Sequence, residues 1–348
     1  MKIFQVITRS DLGGAQSVVV NLANYLQFEH EVIVIAGDGD GKMWDLLSSP
    51  IKREKVISLK RELSLINELK TYIQFKRLYL KYKPDVIHLH SSKAGILGRL
   101  AFPRNKLIYT VHGFDSIRVN YRKYLPLERI LQARCKAIVG VSEYDKRNLL
   151  SEGISNNVKM IYNGIFSPKH IDDNPFKQIK YLRKVLCVAR LSSPKRWDVF
   201  FEVANLLPQY AFIWIGNQCE CEDKYPENVF FMGSLPIAGA YNEYADLFML
   251  PSDYEGLPMT IIEAMSMGKP VVTSNVGGIS EIVVNDENGY TVENIPEAFA
   301  KKIFYILEHQ DIYNRFSQTA LERYQKDLTV EKMVNGYMKI YDDILHGE

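Results

Sequence analysis

Long apolar runs and a secretory leader are the features that this chain lacks most clearly. No stretch of its 348 residues approaches the ~20 consecutive apolar residues of a membrane span, which argues against a membrane-spanning protein. The first residues, Met1–Ile7, enter a strand pattern directly, without the basic, apolar and small-residue order of a signal sequence. We therefore expect a globular protein that is made in the cytoplasm and stays there.

Cysteine and metal-binding patterns are also scarce. The four cysteines, Cys135, Cys187, Cys219 and Cys221, are too few and too scattered for a disulfide framework. Cys219 and Cys221 are separated by one residue, which is not zinc-knuckle spacing, and no second pair completes such a site. The acidic tripeptide at 38–40, D-G-D, imitates a D-x-D metal motif, but in a glycine-rich loop it predicts a turn. The sequence indicates reduced, structural thiols and no metal.

A complete G-x-G-x-x-G fingerprint of dinucleotide-binding proteins is absent as well. In its place, Gly13 and Gly14 lie between a predicted strand, Ile3–Thr8, and a predicted apolar helix, Ser17–Leu26. Glycines at such a junction let backbone amides approach an anion at the helix N-terminus. A tight turn with no ligand explains the pair equally well.

Length and charge predict two domains with different surfaces. A chain of this length exceeds most single cores, so two domains are expected. The net charge of +2 conceals an asymmetry: residues 1–170 carry 27 Lys and Arg against 15 Asp and Glu, and residues 171–348 carry 16 against 26. A basic half attracts nucleic acid, an anionic membrane or a phosphorylated substrate. No aromatic-basic motif of a known nucleic-acid module is present, so nucleic acid is not expected.

The most basic segment, residues 52–83, has ten Lys and Arg and three Asp and Glu. Within it, Leu63–Tyr82 predicts an amphipathic helix with aromatic residues at helical spacing, namely Tyr72, Phe75, Tyr79 and Tyr82. Such a helix would lie on an anionic membrane, where each nearby Lys or Arg contributes about 1 kcal/mol. A helix packed on its own domain, with a solvated charged side, fits the same pattern.

Three histidines follow strand patterns in the first half of the chain. The predicted strand Pro84–His90 directs His88 and His90 to one face, and His112 follows another strand, Leu107–Val111. Together they suggest the metal site of an H-x-H hydrolase. No matching Asp and Lys follow at later strand ends, and this interpretation is therefore disfavoured.

Residues 245–283 contain the pattern with the clearest chemistry. A short buried strand, Leu247–Leu250, leads through a loop containing Glu255 to a predicted helix, Met259–Met267, which contains Glu263. Both acids would face one crevice at the carboxyl edge of a sheet. A glycine pair at 277–278 follows. Carboxylates beside exposed backbone amides suit a ligand with hydroxyls and phosphates.

This stretch, Y-E-G-L-P-M-T-I-I-E-A-M followed by G-K-P-V-V-T and G-G-I-S-E-I-V, resembles the C-terminal signature of the retaining glycosyltransferases of the large bacterial family 4. The segment Tyr109–Gly113 is similar to the T-x-H-G element of that family, and the resemblance covers nearly the whole chain. It implies the α/β GT-B fold, in which two doubly wound Rossmann-like domains face each other across a cleft. The implied divisions are an acceptor domain (1–165), a linker (166–182), a nucleotide-sugar domain (183–329) and a last helix (330–348) that packs back on the acceptor domain.

The resemblance also implies residue roles. Arg190 lies at the carboxyl end of the predicted strand at 185–191 and Lys195 follows it, and both would neutralise the donor diphosphate. Two glycines of the family pattern are replaced, by Ala189 and Arg196, which indicates a tighter or more basic loop. The implied catalytic residues are His112, which would orient the sugar, Arg190, Lys195, and Glu255, which would bind sugar hydroxyls. The implied donor-binding residues are Gly13, Gly14, Gly216, Leu235, Gly256, Leu257, Pro258, Met259 and Glu263, the last of these at the ribose.

The implied activity is a retaining, metal-independent transfer of a hexose or N-acetylhexosamine without a cofactor. The donor would be a nucleotide-sugar, with UDP preferred on family frequency, and the acceptor a lipid-linked or soluble glycan in O-antigen or capsule synthesis. The basic half would contact the inner face of the membrane. Two alternatives stay open. A sugar-nucleotide epimerase has the same shape but normally needs more carboxylates and histidines around the sugar. A membrane- or anion-binding module with an inactive cleft would keep its affinity when Arg190, Lys195, Glu255 and Glu263 are replaced.

Overall fold

Two compact units make up the chain in the computed structural model, which describes residues 1–217 and 224–347. One unit contains residues 1–164 and the C-terminal segment from Val330, and the other contains residues 165–329. Each unit is built from parallel strands that alternate with helices along the chain. The predicted fold class, two doubly wound α/β domains, is confirmed.

The first unit contains a parallel sheet of seven strands in the part of the chain that the structure describes, in the order β3-β2-β1-β4-β5-β6-β7. Its central strands are short apolar runs buried on both faces, as expected where helices cover a parallel sheet. The strands are β1 (Lys2–Ile7), β2 (Glu31–Ala36), β3 (Lys52–Lys55), β4 (Val86–His90), β5 (Leu107–Val111), β6 (Ala137–Gly140) and β7 (Val158–Met160).

Helices connect these strands, and two of them begin at serine caps. Ser64 accepts a hydrogen bond from the amide of Asn67, and Ser142 accepts one from the amide of Asp145, which satisfies amides that have no partner within the helix. The helices are α1 (Gly14–Leu26), α2 (Lys42–Asp45), α3 (Leu65–Tyr82), α4 (Ser92–Ala101), α5 (Leu125–Leu131) and α6 (Glu143–Ser151). Short helical turns cover Arg104–Lys106, Ser116–Asn120, Arg122–Tyr124 and Gln132–Arg134.

The second unit repeats this plan. Its described residues form a six-stranded parallel sheet in the order β10-β9-β8-β11-β12-β13. The strands are β8 (Lys184–Val188), β9 (Ala211–Ile215), β10 (Val229–Phe231), β11 (Leu247–Leu250), β12 (Val271–Ser274) and β13 (Gly289–Val292). The helices are α7 (Trp197–Leu206), α8 (Met259–Ser266), α9 (Pro296–Glu308) and α10 (Gln310–Asp327), with shorter turns at Ala238–Tyr244 and Ile279–Glu281.

The final helix, α11 (Val330–His346), returns to the first unit. Its apolar face is buried, and it packs closely enough on the residue that follows β7 that a Cβ at Gly336 would lie 3.1 Å from the Ile161 side chain. Gly164 donates its amide to Met333 Sδ at 3.2 Å where the chain leaves that unit. The first unit is therefore built from two separate parts of the sequence.

Several elements differ from the sequence predictions. The segment expected as a linker, 166–182, packs on the second unit, where Phe176 and Ile179 are buried and Phe176 contacts the Tyr241 ring. Helix α1 begins at Gly14, three residues earlier than predicted, and Glu263 lies only about one turn inside α8. Strands β3 and β13 and helices α2, α4, α5 and α10 were not predicted.

No helix within the described residues is long and apolar enough to cross a membrane. The thiols of Cys135 and Cys187 are free and buried, and burial raises the pKa of both. The predictions for Cys219 and Cys221 lie outside the described residues.

Candidate functional site

Each sheet reverses its strand order at one point, and most of the sequence-predicted residues lie near these two points. In the first unit the reversal falls between β1 and β4, and in the second between β8 and β11. Loops leaving the carboxyl ends of such strands diverge and leave a crevice, which is where doubly wound sheets bind ligands.

In the second unit, the loops that follow β8 and β11 lie side by side. Lys195 and Ser252 form an isolated antiparallel bridge, and the amide of Arg196 donates to the Pro251 carbonyl at 3.1 Å. The amide of Asp253 returns a hydrogen bond to the Pro194 carbonyl at 3.0 Å. These backbone contacts place Lys195 beside the loop that contains Glu255.

Lys195 and Glu255 form an ion pair, with side-chain exposures of 17% and 13%. Ser252 Oγ donates a second hydrogen bond, of 2.6 Å, to the same Glu255 oxygen. The sequence had assigned Lys195 to phosphate and Glu255 to sugar. The two side chains neutralise each other and are held in one place.

The neighbouring cations differ in how they are paired. Arg190 lies two residues beyond β8, is exposed, and has no side-chain hydrogen bond or ion pair among the described residues. Arg196 is held instead by Asp198 at 2.6 Å and by Asp253 at 3.2 Å. The extra positive charge predicted for this loop is therefore balanced locally. Arg190 is the cation left available for an anionic ligand.

A hydrogen-bonded support lies behind the Glu255 loop. Ser252 donates its amide to Ser274 Oγ at 2.8 Å, and Ser274 bonds to the side chain of Asn294. Asn294 then donates to the Ser252 carbonyl at 2.8 Å. Sequence reasoning missed Ser252, Ser274 and Asn294, because uncharged residues in three separate loops have no spacing that relates them.

The glycine pair at 277–278 packs directly on the Glu255 loop. A Cβ at Gly277 would lie 2.0 Å from the Glu255 carbonyl oxygen, and its φ of +61° lies in the left-handed region that favours glycine. Gly278 donates its amide to the Gly256 carbonyl at 3.0 Å. Glu255 and Gly256 therefore have a fixed backbone position.

Glu263 is the second acid, and its surroundings differ from those of Glu255. Its carboxyl group lies against the backbone of Gly239, where a Cβ would be 2.4 Å from Glu263 Cδ. No hydrogen bond or ion pair to this carboxylate occurs among the described residues, and burial raises its pKa to about 7. A partly buried acid without a partner is suited to accept hydrogen bonds from ligand hydroxyls. Gly239, which makes room for it, was not predicted.

The remaining predicted donor residues of the second unit occupy two places. Leu257 and Pro258 lead into α8, which begins at Met259 without a side-chain cap, so its first amides are available to an anion. Leu235 lies between β10 and the turn at Ala238–Tyr244. Gly216 meets protein backbone instead of open space, because a Cβ there would lie 2.5 Å from the Ala189 carbonyl oxygen.

In the first unit, Gly13 and Gly14 stand at the start of α1, directly after β1. Gly13 has extended backbone at the N-cap position, and no side chain caps the helix. The unsatisfied amides at this end are again available to an anion. The structure thus places the predicted glycines at the sheet's carboxyl edge.

His112 follows β5 and belongs to a hydrogen-bonded cluster, which we call the histidine network. His112 Nε2 lies 2.9 Å from His90 Nδ1, and His90 Nε2 lies 2.7 Å from Gln5 Oε1. Gln5 Nε2 reaches the hydroxyl of Tyr341 at 3.2 Å, which links this arm to α11. The complete network contains Gln5, His88, His90, Thr110, His112, Tyr337 and Tyr341.

The second arm of the network ends inside the unit. His88 bonds to Tyr341 at 2.8 Å and to Thr110 Oγ1 at 2.7 Å, and Thr110 lies 3.0 Å from the Tyr337 hydroxyl. Burial lowers the pKa of His88 and His90 well below the usual value and that of His112 to about 4. All three rings are therefore neutral near pH 7.

Within residues 1–217 and 224–347, no three His, Cys, Asp or Glu side chains are arranged to hold a metal ion. The ring nitrogens of the two histidines of β4 are hydrogen-bonded to protein groups instead. His88 bonds to Tyr341 and Thr110, and His90 bonds to His112 and Gln5. The H-x-H metal-site interpretation is therefore not supported by these side chains.

Comparison with known proteins gives consistent matches over both units. Residues 12–166 match the model for "Glycosyltransferase Family 4", and residues 183–309 match the model for "Glycosyl transferases group 1". Two Escherichia coli relatives are similar over nearly their whole length. A UDP-Gal:alpha-D-GlcNAc-diphosphoundecaprenol alpha-1,3-galactosyltransferase is 28% identical, covering 99% of this chain and 97% of the relative. The O-antigen biosynthesis glycosyltransferase WbnH is 27% identical, covering 96% and 97%.

Among solved structures, the Anabaena protein HepE in complex with UDP and glucose superposes with a TM-score of 0.85 at 20% identity. The match covers 99% of this chain and 100% of HepE. At this level of identity, the likeness concerns the fold.

Proposed function

Because the chain belongs to the family 4 glycosyltransferases and has the GT-B fold, we propose that it transfers a hexose or N-acetylhexosamine from a UDP-sugar to a glycan acceptor with retention of configuration. The observation that carries the proposal is the arrangement in the second unit, where Arg190, Lys195 and Glu255 occupy adjacent loops at the strand reversal. Glu263 adds an acid without a partner. Together these groups match a ligand that has a diphosphate and several hydroxyls.

Each group has a role that follows from its charge. As the bond between the anomeric carbon and the phosphate oxygen breaks, the diphosphate gains negative charge, which Arg190 and Lys195 stabilise. Glu263 accepts hydrogen bonds from the ribose hydroxyls, and Glu255 accepts them from the sugar. His112, in the first unit, contacts a sugar hydroxyl.

Retention is proposed to follow from attack on the face that the diphosphate leaves. The acceptor hydroxyl oxygen bonds to the anomeric carbon while the bond to the phosphate oxygen breaks. The hydroxyl proton passes to an oxygen of the departing nucleoside diphosphate, so no carboxylate nucleophile is needed. We propose that the reaction needs no bound metal, because the two cations can neutralise the diphosphate.

The relatives support a role in O-antigen or capsule synthesis. The E. coli galactosyltransferase is named for a diphosphoundecaprenol-linked GlcNAc acceptor, and WbnH for O-antigen biosynthesis. A Staphylococcus aureus relative, 25% identical over 82% of this chain and 85% of the relative, is named for capsular polysaccharide biosynthesis. We therefore propose a lipid-diphosphate-linked glycan as the acceptor and the cytoplasmic face of the membrane as the place of reaction.

Helix α3 provides the surface for that membrane contact. Its predicted aromatic face is packed on the core: Phe75 is buried, and Tyr72, Tyr79 and Tyr82 pack beside it. On the opposite side, five aliphatic residues are exposed within a stripe about 100° wide at ~100° per residue. This stripe, which the sequence analysis did not identify, consists of Leu65, Ile66, Leu69, Ile73 and Leu80.

Charge complementarity supports the proposal that an anionic membrane covers the α3 stripe. Lys70, Lys76, Arg77 and Lys81 are exposed on the same helix, beside or within the stripe. Aliphatic side chains that enter the lipid boundary while cations contact anionic headgroups are typical of helices that lie on a membrane surface. This arrangement supports the proposed membrane contact through the first unit.

The activity is tested by a donor screen with purified protein and a lipid-diphosphate-linked sugar acceptor. UDP-glucose, UDP-galactose, their N-acetylamino forms and GDP-mannose are compared by release of nucleoside diphosphate, with and without EDTA. Acceptor-dependent release from a UDP-sugar that survives EDTA is expected, and the anomeric configuration of the product is read by NMR. Release without an acceptor, with conversion of the sugar, would indicate an epimerase. Loss of activity with EDTA would contradict metal independence.

The membrane contact is tested by vesicle flotation with and without anionic lipid. Leu69→Ser with Ile73→Ser is expected to reduce binding to anionic vesicles about 10-fold, because two aliphatic side chains no longer leave water. The matched control is Leu182→Ser, a residue that is 90% exposed in the second unit. Unchanged vesicle binding by the double variant would overturn the assignment. So would a wild-type protein that is a dimer in solution and becomes a monomer in the double variant.

A further inference from the structure

The hydrogen-bond geometry of the histidine network indicates which ring nitrogen of each histidine has the proton. His88, His90 and His112 are neutral near pH 7, so each ring has one N–H and one bare nitrogen. Which nitrogen has the proton is set by the partners of each ring. The carboxamide of Gln5 is the only group in the network with one end that only accepts and one end that only donates.

Gln5 determines the proton positions of His90 and then of His112. Gln5 Oε1, which can only accept, lies 2.7 Å from His90 Nε2, so His90 has its proton on Nε2. His90 Nδ1 is then bare and accepts from His112 Nε2 at 2.9 Å. The proton of His112 is thereby fixed on Nε2, and His112 Nδ1 is left bare.

The same Gln5 orientation determines the proton positions in the other arm of the network. Gln5 Nε2 donates to the Tyr341 hydroxyl at 3.2 Å, so that hydroxyl donates its own proton to His88 Nδ1 at 2.8 Å. His88 then donates from Nε2 to Thr110 Oγ1 at 2.7 Å. Every contact has one donor and one acceptor, and no proton is used twice.

The geometry points to Gln5 and His90 as positioning residues that hold His112 with its proton on Nε2, so that His112 Nδ1 accepts a hydrogen bond from a hydroxyl of the transferred sugar. This inference rests on the proposed function, which places His112 at the sugar. Nδ1 of His112 has no hydrogen-bond partner among the described residues. An accepting nitrogen selects donors that have a hydroxyl at that position over those with a carbonyl or a hydrogen there.

The first test is spectroscopic and needs no substrate. In protein with ¹⁵N-labelled histidine, two-bond ¹H–¹⁵N spectra distinguish the two neutral tautomers of each ring. His112, assigned by comparison with His112→Asn, is expected as the Nε2–H tautomer in the wild-type protein. The Nδ1–H tautomer at His112 would overturn the inference directly. If the donor screen instead finds no transfer, the proposed function fails while the tautomer is still measured.

The second test uses a matched series at Gln5. Gln5→Met removes the oxygen that accepts from His90 without adding charge. Gln5→Glu places an acid beside His90, which favours the doubly protonated ring, and His90 Nδ1 would then donate to His112 Nε2. We expect Gln5→Met to mix the His112 tautomers, Gln5→Glu to favour the Nδ1–H tautomer of His112, and both variants to reduce kcat/KM for the sugar donor about 10-fold. Binding of UDP, which lacks the sugar, is expected to change less than 2-fold in either variant.

Tyr337→Phe is the control within the same network, because Tyr337 bonds to Thr110 at the end of the other arm. It is expected to leave the His112 tautomer and kcat/KM unchanged. A loss of activity in a Gln5 variant whose His112 tautomer is unchanged, or a parallel loss of UDP binding, would show that Gln5 acts through general packing and would contradict the positioning role.

Discussion

The two units share one strand order but satisfy their polar groups in different ways. At the reversal of the first sheet, the histidine network pairs each buried nitrogen with a protein partner, and only His112 Nδ1 is left over. In the second unit, Glu263 has no partner and Arg190 has none among the described residues, while Lys195 and Glu255 hold each other. The first unit thus supplies protein partners for its buried histidines, whereas the second leaves Glu263 and Arg190 without partners among the described residues.

The largest expected effect is that of Lys195→Ala, which removes a cation from the second unit's site. Because the diphosphate gains charge in the transition state, kcat is expected to fall about 10²- to 10³-fold. The measurement is release of nucleoside diphosphate at saturating donor. Arg196→Ala is the matched control, since that neighbouring cation is balanced by Asp198 and Asp253 and is expected to change kcat less than about 3-fold. Equal losses in both variants would contradict the distinction between the two cations.

Glu263→Gln should produce the next largest effect, which is a weaker binding of UDP. Loss of charge-assisted hydrogen bonds to the ribose is expected to weaken UDP affinity about 10- to 100-fold. Because the free acid has a pKa of about 7 and hydroxyl donors favour the ionised form, UDP binding near pH 6.5 should release protons. Calorimetry in buffers of different ionisation enthalpy measures that release, which should vanish in the variant. Proton uptake by the wild-type protein would show that the carboxyl is not the ribose acceptor.

The two units are also expected to respond to pH with opposite signs. In the first unit, lowered histidine pKa values mean that stability is highest above about pH 6.5 and falls toward pH 4, because the unfolded chain binds more protons. In the second, the raised pKa of Glu263 gives stability that is present below about pH 4.5 and is lost as pH rises through 7.

Hydrogen exchange at pH 5 and pH 7, corrected for the intrinsic rate, separates these responses. Peptides from β4 and β5 should be less protected at pH 5, and peptides from α8 more protected. Glu263→Gln should remove the pH response of α8 and leave that of β4 and β5. A common direction in both units would refute the contrast.

The smallest expected effect is that of Ser252→Ala. It removes one of the two hydrogen bonds to Glu255, while Lys195 still holds that side chain. A loss of about 1 kcal/mol corresponds to a reduction in kcat/KM of about 3- to 10-fold. Ser274→Ala, one contact further from the acid, should have a smaller effect than Ser252→Ala. The reverse order would mean that the loop's backbone, and not the Glu255 carboxylate, is the group being supported.

The sequence predicted the fold and the charged residues of the second unit better than it predicted their support. Residues such as Glu255 and Glu263 lie in one dense local motif, so their spacing identifies them. Ser252, Ser274 and Asn294 come from three loops and meet only through tertiary structure. Gly239 leaves space for the Glu263 side chain, and no nearby sequence pattern predicts this contact either.

Two further differences have physical causes. In α3, aromatic spacing identified an apolar face, but that face packs on the core, and the exposed stripe is on the other side. Two apolar faces on one helix cannot be ranked by periodicity alone. Helix α10 was not predicted because most of its residues are charged or polar, so that its apolar periodicity is weak. Its buried residues are Phe316, Ala320 and Tyr324. Gln5 gave no signal, because a single amide within an apolar strand has no pattern.

The return of α11 to the first unit has a consequence for synthesis on the ribosome. Residues 1–164 emerge first, but the tyrosines at 337 and 341 that complete the histidine network appear only after the whole second unit has been translated. A nascent chain halted before residue 330 would have its first sheet without α11, leaving apolar side chains uncovered that α11 normally buries. The first unit can therefore be completed only after the C-terminal helix α11 has been translated. An interrupted product would be exposed to chaperones and proteases.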